Sequence, residues 1–150
     1  MDKVMHSLRK MHNIERFATE VYRAQIPAFP EKEITERLKA AMLNEQEHVD
    51  GLKARIGELG GTTSWLGFFF QIAGKSWGFA TRFLGKMFIL RADIWLERKA
   101  VTDYGDFLQR VDFDERSRAL IQKNIEDEKT HVKRWEDSIV ILSNLKQQRL

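Results

Sequence analysis

Glu-x-x-His occurs twice in this chain, as Glu45-x-x-His48 and Glu128-x-x-His131, and a lone glutamate precedes each copy at nearly the same distance. Glu15 lies 30 positions before Glu45, and Glu97 lies 31 before Glu128. Residues i and i+3 share one face of a helix, so each motif offers a carboxylate and an imidazole side by side. Glutamates and histidines in this ratio suit two first-row metal ions, iron or manganese, with positions left open to oxygen or peroxide.

Such a donor set works only if helices aim every member inward, and the apolar stripes supply those helices. A first helix is expected from about Lys3 to Gln25, with Leu8, Met11, Glu15, Ala18 and Tyr22 on one face. Pro27 and Pro30 end it and frame a turn. A second runs from about Glu31 to Leu59, aligning Ile34, Leu38, Ala41, Glu45, His48, Leu52 and Ile56, until Gly57, Gly60 and Gly61 stop it. A third ends near Val111 and carries Leu90, Ile94, Glu97, Val101, Tyr104 and Leu108. After the turn Asp112-Phe113-Asp114, a fourth reaches about Leu145 through Ile121, Ile125, Glu128, His131, Trp135 and Leu142.

All four stripes put metal-type residues at core positions. Burying these carboxylates without partners is costly, and a pair of cations is the economical remedy. Two helices each giving Glu-x-x-His and two giving one Glu match the inward ligands of ferritin-like di-metal bundles. The expectation is an all-α, ferritin-like four-helix bundle in one domain over residues 1–150. A long crossover, about Gly60 to Met87, joins its two hairpins.

The halves also read as a degenerate repeat, with Tyr22 seven residues after Glu15 and Tyr104 seven after Glu97. Both tyrosines lie near enough to tune or shield the metals, or simply pack. A metal-bound imidazole normally donates its other N–H to a carboxylate or carbonyl. Asp127 is therefore expected to reach across to His48, and Asn44 to His131. Glu47 and Glu126 fall off the stripes and read as surface charges. His6 and His12 have no matching partner, although His12 lies three residues before Glu15.

The crossover is more aromatic than a solvated loop requires. Trp65, Phe68, Phe69 and Trp77 accompany a basic series, Lys75, Arg82 and Lys86, spaced by seven and four. On one helix that makes a basic stripe opposite Trp77, Ala80, Leu84 and Met87, the pattern of an amphipathic helix in a membrane interface or against an apolar ligand. The competing expectation is a crossover packed on the bundle or in an oligomer interface. Charges and glycines interrupt any run long enough to span a bilayer.

Composition narrows the classes further. The chain has no cysteine, which excludes disulfides, zinc knuckles, iron–sulfur clusters and a thiol nucleophile. Its start lacks the apolar core of a signal peptide, so a cytoplasmic protein, peripheral on the inner face of the membrane, is expected. A net charge of +3 is mild and reads as solubility, with no nucleic-acid partner.

With these motifs placed, the chain resembles the demethoxyubiquinone hydroxylase family. The resemblance rests on Glu15 with Tyr22, Glu45-x-x-His48, the run Gly78-Phe79-Ala80 to Leu84-Gly85-Lys86, Glu97 with Tyr104, and Asp127-Glu128-x-x-His131. It implies a membrane-associated di-iron monooxygenase that hydroxylates a quinone ring in ubiquinone biosynthesis. It also implies two iron ions (or manganese), molecular oxygen, an apolar aromatic substrate and an external electron donor, with a homo-oligomer as a further expectation. The family usually has His before the third-helix tyrosine, where this chain has Asp103. A rubrerythrin-type peroxidase or oxidase is the enzymatic rival, and iron binding without catalysis the other.

Overall fold

Proline and glycine set the element boundaries. The computed structural model describes residues 2–148; Met1, Arg149 and Leu150, which the expected domain includes, lie outside them. Helix α1, Asp2–Gln25, gives way to a 3-10 turn at Ile26–Ala28 containing Pro27. Helix α2, Lys32–Glu58, ends where Gly60 takes φ +77°, and Gly61 N–H bonds back to the Ile56 carbonyl at 2.9 Å. Helix α3, Gly67–Thr81, runs into a 3-10 turn, Arg82–Leu84. Gly85 then adopts φ 90°, ψ 157°, a region open essentially to glycine, and redirects the chain into α4, Lys86–Arg110. Asp114 caps α5, Glu115–Gln147, by accepting the Ser117 N–H at 3.0 Å.

Helices α1 and α2 form one hairpin, α4 and α5 the other, and the hairpins meet mainly through α2 and α5. The expected ferritin-like bundle is thus present. Two apolar clusters make its core. Leu8, Met11, Leu52, Ile56, Tyr104, Phe113 and Ile121 fill one end; Tyr22, Ile34, Leu38, Ile89, Leu90 and Trp135 fill the other. The Glu and His residues lie in the band between them, walled from solvent at both ends.

The crossover differs from its expected form in two ways. First, the basic series does not share one helix: α3 stops at Thr81, and Lys86 belongs to α4, beyond the break at Gly85. Lys86 is instead paired with Glu31 at 2.6 Å, and the Arg82 guanidinium lies over the Phe79 ring. Second, α3 packs on α1 through Gly67, Gly74, Gly78 and Thr81 rather than through its large apolar residues. Without Cβ atoms the two backbones approach closely, and there is no room beneath for aromatic rings. Those rings stay outside: Trp65, Phe68, Phe69, Trp77, Phe79 and Phe83 are all exposed. No described helix is long and apolar enough to cross a membrane.

Candidate metal centre

Each helix of the bundle brings its metal-type residues to one level. Glu15 comes from α1, Glu45 and His48 from α2, Glu97 from α4, and Glu128 and His131 from α5; all are buried. Their donor atoms form two groups, Glu15, Glu45, His48 and Glu128, and Glu45, Glu97, Glu128 and His131, each gathered within 4.8 Å. Glu45 and Glu128 belong to both. The i, i+3 spacing of each motif is what lets one helix serve both groups.

Both imidazoles turn Nδ1 toward the carboxylates. His48 Nδ1 lies 3.3 Å from Glu128, 3.4 Å from Glu45 and 3.7 Å from Glu15. His131 Nδ1 lies 3.1 Å from Glu45 and Glu128 and 3.3 Å from Glu97. Several of these contacts are close but poorly aligned. Both Glu45 oxygens, Glu128 Oε1 and His48 Nδ1 are buried with no hydrogen-bond partner. Buried donors and acceptors rarely stay unsatisfied, and a cation among them satisfies several at once. The residues therefore fit a pair of metal ions.

Considered as protein alone, the cluster holds protons. Burial disfavours charge on His48, but the close approach of the Glu128 and Glu45 carboxylates overrules it and pushes the ring up to about 12. His131 is raised in the same way against its own burial, by Glu128, Glu45 and Glu97. Burial and the neighbouring Glu128 push Glu97 up to about 8, and Glu15 rises for the same two reasons. For Glu45, burial and Glu97 push upward, but the close approach of the His131 and His48 imidazoles leaves it lowered.

Metal can bind only as those protons leave, so affinity should rise with pH and fall on acidification, by about tenfold per pH unit for each proton displaced. Metal titration in weak buffer should therefore release protons around neutral pH. A pH-independent affinity between 6 and 8 would contradict this.

The tyrosines cross between the repeats rather than serving their own helix. Tyr104 donates to Glu15 at 2.7 Å, and Tyr22 donates to Glu97 while accepting from Trp135 Nε1 at 3.2 Å. Antiparallel α1 and α4 make this exchange natural, since each glutamate lies opposite the other helix's tyrosine. Burial, then the facing carboxylates, raises both phenols, so they remain neutral donors.

Asp127 behaves as the spacing predicts: His48 Nε2–H donates to its Oδ2 at 3.0 Å. Asn44 does not. It donates to the same Asp127 oxygen at 3.4 Å rather than reaching His131, because α2 and α5 set Asn44 and Asp127 side by side. Lys123 joins them at 2.7 Å. Although partial burial pushes the Asp127 carboxyl up, these three bonds bring it down to about 2.

Glu47 and Glu126 are exposed, as their off-stripe positions predict, and His6 is exposed as well. His12 is buried but outside both donor groups, on a polar pocket with Arg16 and Lys53. Asp103 is bound by Lys99 at 2.9 Å. The sequence reading missed Asp93, a fully buried carboxyl bonded by Gln25. Its signal was available: Leu90, Asp93, Glu97, Ala100 and Tyr104 are the buried line of α4.

A small apolar slot reaches the centre between α1 and α4, which touch little. It holds about 40 Å³ and is lined by Ile14, Phe17, Ala18, Val21, Leu96 and Ala100, with Glu15, Glu97 and Tyr22 also on its wall.

The family model of the ubiquinone biosynthesis protein COQ7 matches residues 2–138, a stretch that includes every residue of the candidate centre. No curated protein matches the chain. Among solved structures, the chain is similar to a dodecameric thioferritin, the bacterioferritin-related protein of Bacteroides fragilis. The TM-score is 0.78 at 14% identity, over 98% of this chain and 90% of that one. That likeness carries the fold alone.

Proposed function

The chain belongs to the COQ7 ubiquinone biosynthesis family, whose members are di-iron hydroxylases, and on that premise we propose that it hydroxylates a quinone-like ring beside two iron ions. Glu15, Glu45, His48, Glu97, Glu128 and His131 would hold them, with Glu45 and Glu128 bridging because they belong to both donor groups. Bound iron supplies the redox chemistry by which molecular oxygen is activated. The single observation that carries the reading is the convergence of these six buried side chains, two of which, Glu15 and Glu97, also form the wall of an apolar slot.

The chain's own residues prepare the site. Tyr104 and Tyr22 fix the orientations of Glu15 and Glu97 from across the seam. Asp127 holds the His48 ring by Nε2 and leaves Nδ1 aimed inward. The apolar slot lining excludes water from the centre. At about 40 Å³ the slot admits a molecule the size of oxygen. A ring enters only as α1 and α4 part, which requires the buried tyrosine–glutamate bonds across the seam to shift. Electrons come from a separate donor.

Metal-loaded protein with reductant should convert a quinone analogue to its hydroxylated product. Ala18→Phe, which fills the slot from a half-buried position, should keep both metals and lose most turnover. Undiminished turnover in that variant would remove the slot from the account.

The exposed rings of α3 and its flanks support docking on an anionic lipid surface. Trp65, Phe68, Phe69 and Trp77 would enter the interface, while Lys75 and Arg82 meet headgroups. Lys86, paired with Glu31, contributes less. Each basic residue near such a surface changes affinity by about fivefold, screened by salt. Liposome flotation of a Lys75→Glu, Arg82→Glu variant should show binding lowered at least tenfold. Unchanged flotation, with self-association lost on mutating the same rings, would assign the face to a homo-oligomer instead.

A further inference from the structure

One hydrogen bond and two orphaned oxygens locate a proton at the end of the α1–α4 seam. Gln25 Nε2 donates to Asp93 Oδ1 at 3.0 Å, joining α1 to α4, and lies 3.3 Å from Thr81 Oγ1 at the end of α3. Both Asp93 and Gln25 are 0% exposed. Nevertheless Asp93 Oδ2 and Gln25 Oε1 have no hydrogen-bond partner. With Asp93 ionised, both oxygens are acceptors and cannot satisfy each other. A single proton on Oδ2 turns Asp93 into a donor toward Gln25 Oε1. A planar acid and a planar amide bonded at one point would then pair at two, and both orphans would be satisfied.

The surroundings favour this state. Burial pushes the Asp93 carboxyl well up; the Gln25 bond opposes that, and the negative charge of Glu97, one turn further along α4, adds to it. The titratable neighbours are Glu97 on its own helix and Tyr22 on α1, neither of them a cation. Helix α3 contributes only the Thr81 hydroxyl, which donates to Gly78 O at 2.8 Å.

Resting on the hydroxylase reading, we propose that Asp93, held neutral against Gln25, is the proton reserve of the metal centre. Ring hydroxylation converts a C–H bond, one oxygen molecule, two electrons and two protons into C–OH and water. The electrons come from the external reductant. The protons must cross a seam whose slot is apolar and whose ends are closed by packed side chains. Along that seam the polar rungs are Tyr104 to Glu15, Tyr22 to Glu97, and Gln25 to Asp93. Asp93 is thus the next proton-bearing group after the Tyr22–Glu97 rung. It breaks its Oδ2–H bond to supply one proton to the Glu97 carboxylate, and regains one from solvent when α1 and α4 part to release the product. Stability alone would favour asparagine at this position, because an amide makes the same two hydrogen bonds with no proton to retain. What asparagine lacks is a proton to give.

Asp93→Asn separates the parts of this proposal. In wild type the folded-state Asp93 carboxyl titrates above its unfolded value, so stability is lost as pH rises from the unfolded value toward the folded one. The melting-temperature gap in favour of Asp93→Asn should therefore widen between pH 5 and 8. Infrared spectra of metal-loaded wild type, in which the ligand glutamates have lost their protons, should contain a protonated-carboxyl band that is missing in Asp93→Asn and shifted in Gln25→Leu. Absence of the band in wild type, or a pH-independent gap, would overturn the neutral acid.

In metal-loaded protein Asp93→Asn should retain both ions, yet form hydroxylated product at least tenfold more slowly, with a flattened pH profile. Full turnover in that variant would overturn the reserve while the acid–amide pair stood. A wild type that forms no product at all would refute the hydroxylase reading and with it the reserve, leaving the infrared and stability results to decide the pairing.

Discussion

Replacing either Glu45 or Glu128 by alanine should empty both metal positions at once. These two side chains are the members common to both donor groups, so neither half-site keeps its full complement after one substitution. Glu15→Ala and Glu97→Ala each touch a single group and should weaken one ion more than the other. Substituting a mere hydrogen-bond partner of a ligand typically costs about 10–100-fold in metal affinity, and loss of a bridging ligand should exceed that. Wild type loaded anaerobically should hold about two metal ions per chain, as the two half-sites imply. Either bridge variant should fall to nearly none under the same conditions, with its helical circular dichroism retained. A variant keeping one tightly bound ion would show that its glutamate does not bridge. Elemental analysis of the same samples distinguishes iron from manganese.

The largest stability effect should follow from adding a single methyl group at Gly74. A Cβ built there lies 2.3 Å from the Phe17 carbonyl oxygen, and one at Gly78 lies 2.5 Å from that of Val21. The obstacle is main chain in α1, which cannot swing aside as a side chain would. Overpacking costs about 1–3 kcal/mol, and a rigid obstacle places Gly74→Ala at the upper end. In a chain of this length that corresponds to a melting point lower by roughly 5–10 °C. Gly57→Ala and Gly105→Ala are the controls: both lie within helices with nothing inside 4 Å. They should gain about 0.5–1 kcal/mol because alanine loses less backbone freedom on folding. Opposite signs for the two pairs would establish that α3 is seated on α1 by its glycines. Equal, small effects would mean that the crossover is loosely held.

The helices were legible because their chemistry is local. A 3.6-residue period, two prolines and a capping aspartate mark the ends of α1, α2 and α5 within a few residues. The donor set was legible for the same reason, since i, i+3 geometry follows from helical pitch. What depends on how helices face one another was harder to read. The seven-residue spacing puts Tyr22 on the face of Glu15 and Tyr104 on that of Glu97, but only the antiparallel seam shows that each tyrosine bonds the other helix's glutamate. Asn44 was assigned to His131 by pseudosymmetry, but side chains on α2 and α5 meet according to their own lengths, and Asp127 is nearer. The crossover was the hardest to read: the spacing of Lys75, Arg82 and Lys86 suggests one continuous helix, which Gly85 breaks, and nothing in the pattern singles out Gly67, Gly74 and Gly78 as the packed face. Asp93 was passed over because an aspartate on a core line, without a motif, gives no hint of its partner until Gln25 is seen across the seam.

The measurement that bears most directly on the function is the fate of isotopically labelled oxygen. Metal-loaded protein, an electron donor and a quinone analogue should yield a ring product carrying one labelled oxygen atom, with oxygen consumed in proportion to product. Bridge variants should yield none. Rapid destruction of hydrogen peroxide, with no label in the ring and no binding of the quinone analogue to the metal-loaded protein, would contradict the hydroxylase and identify a peroxidase on the same bundle.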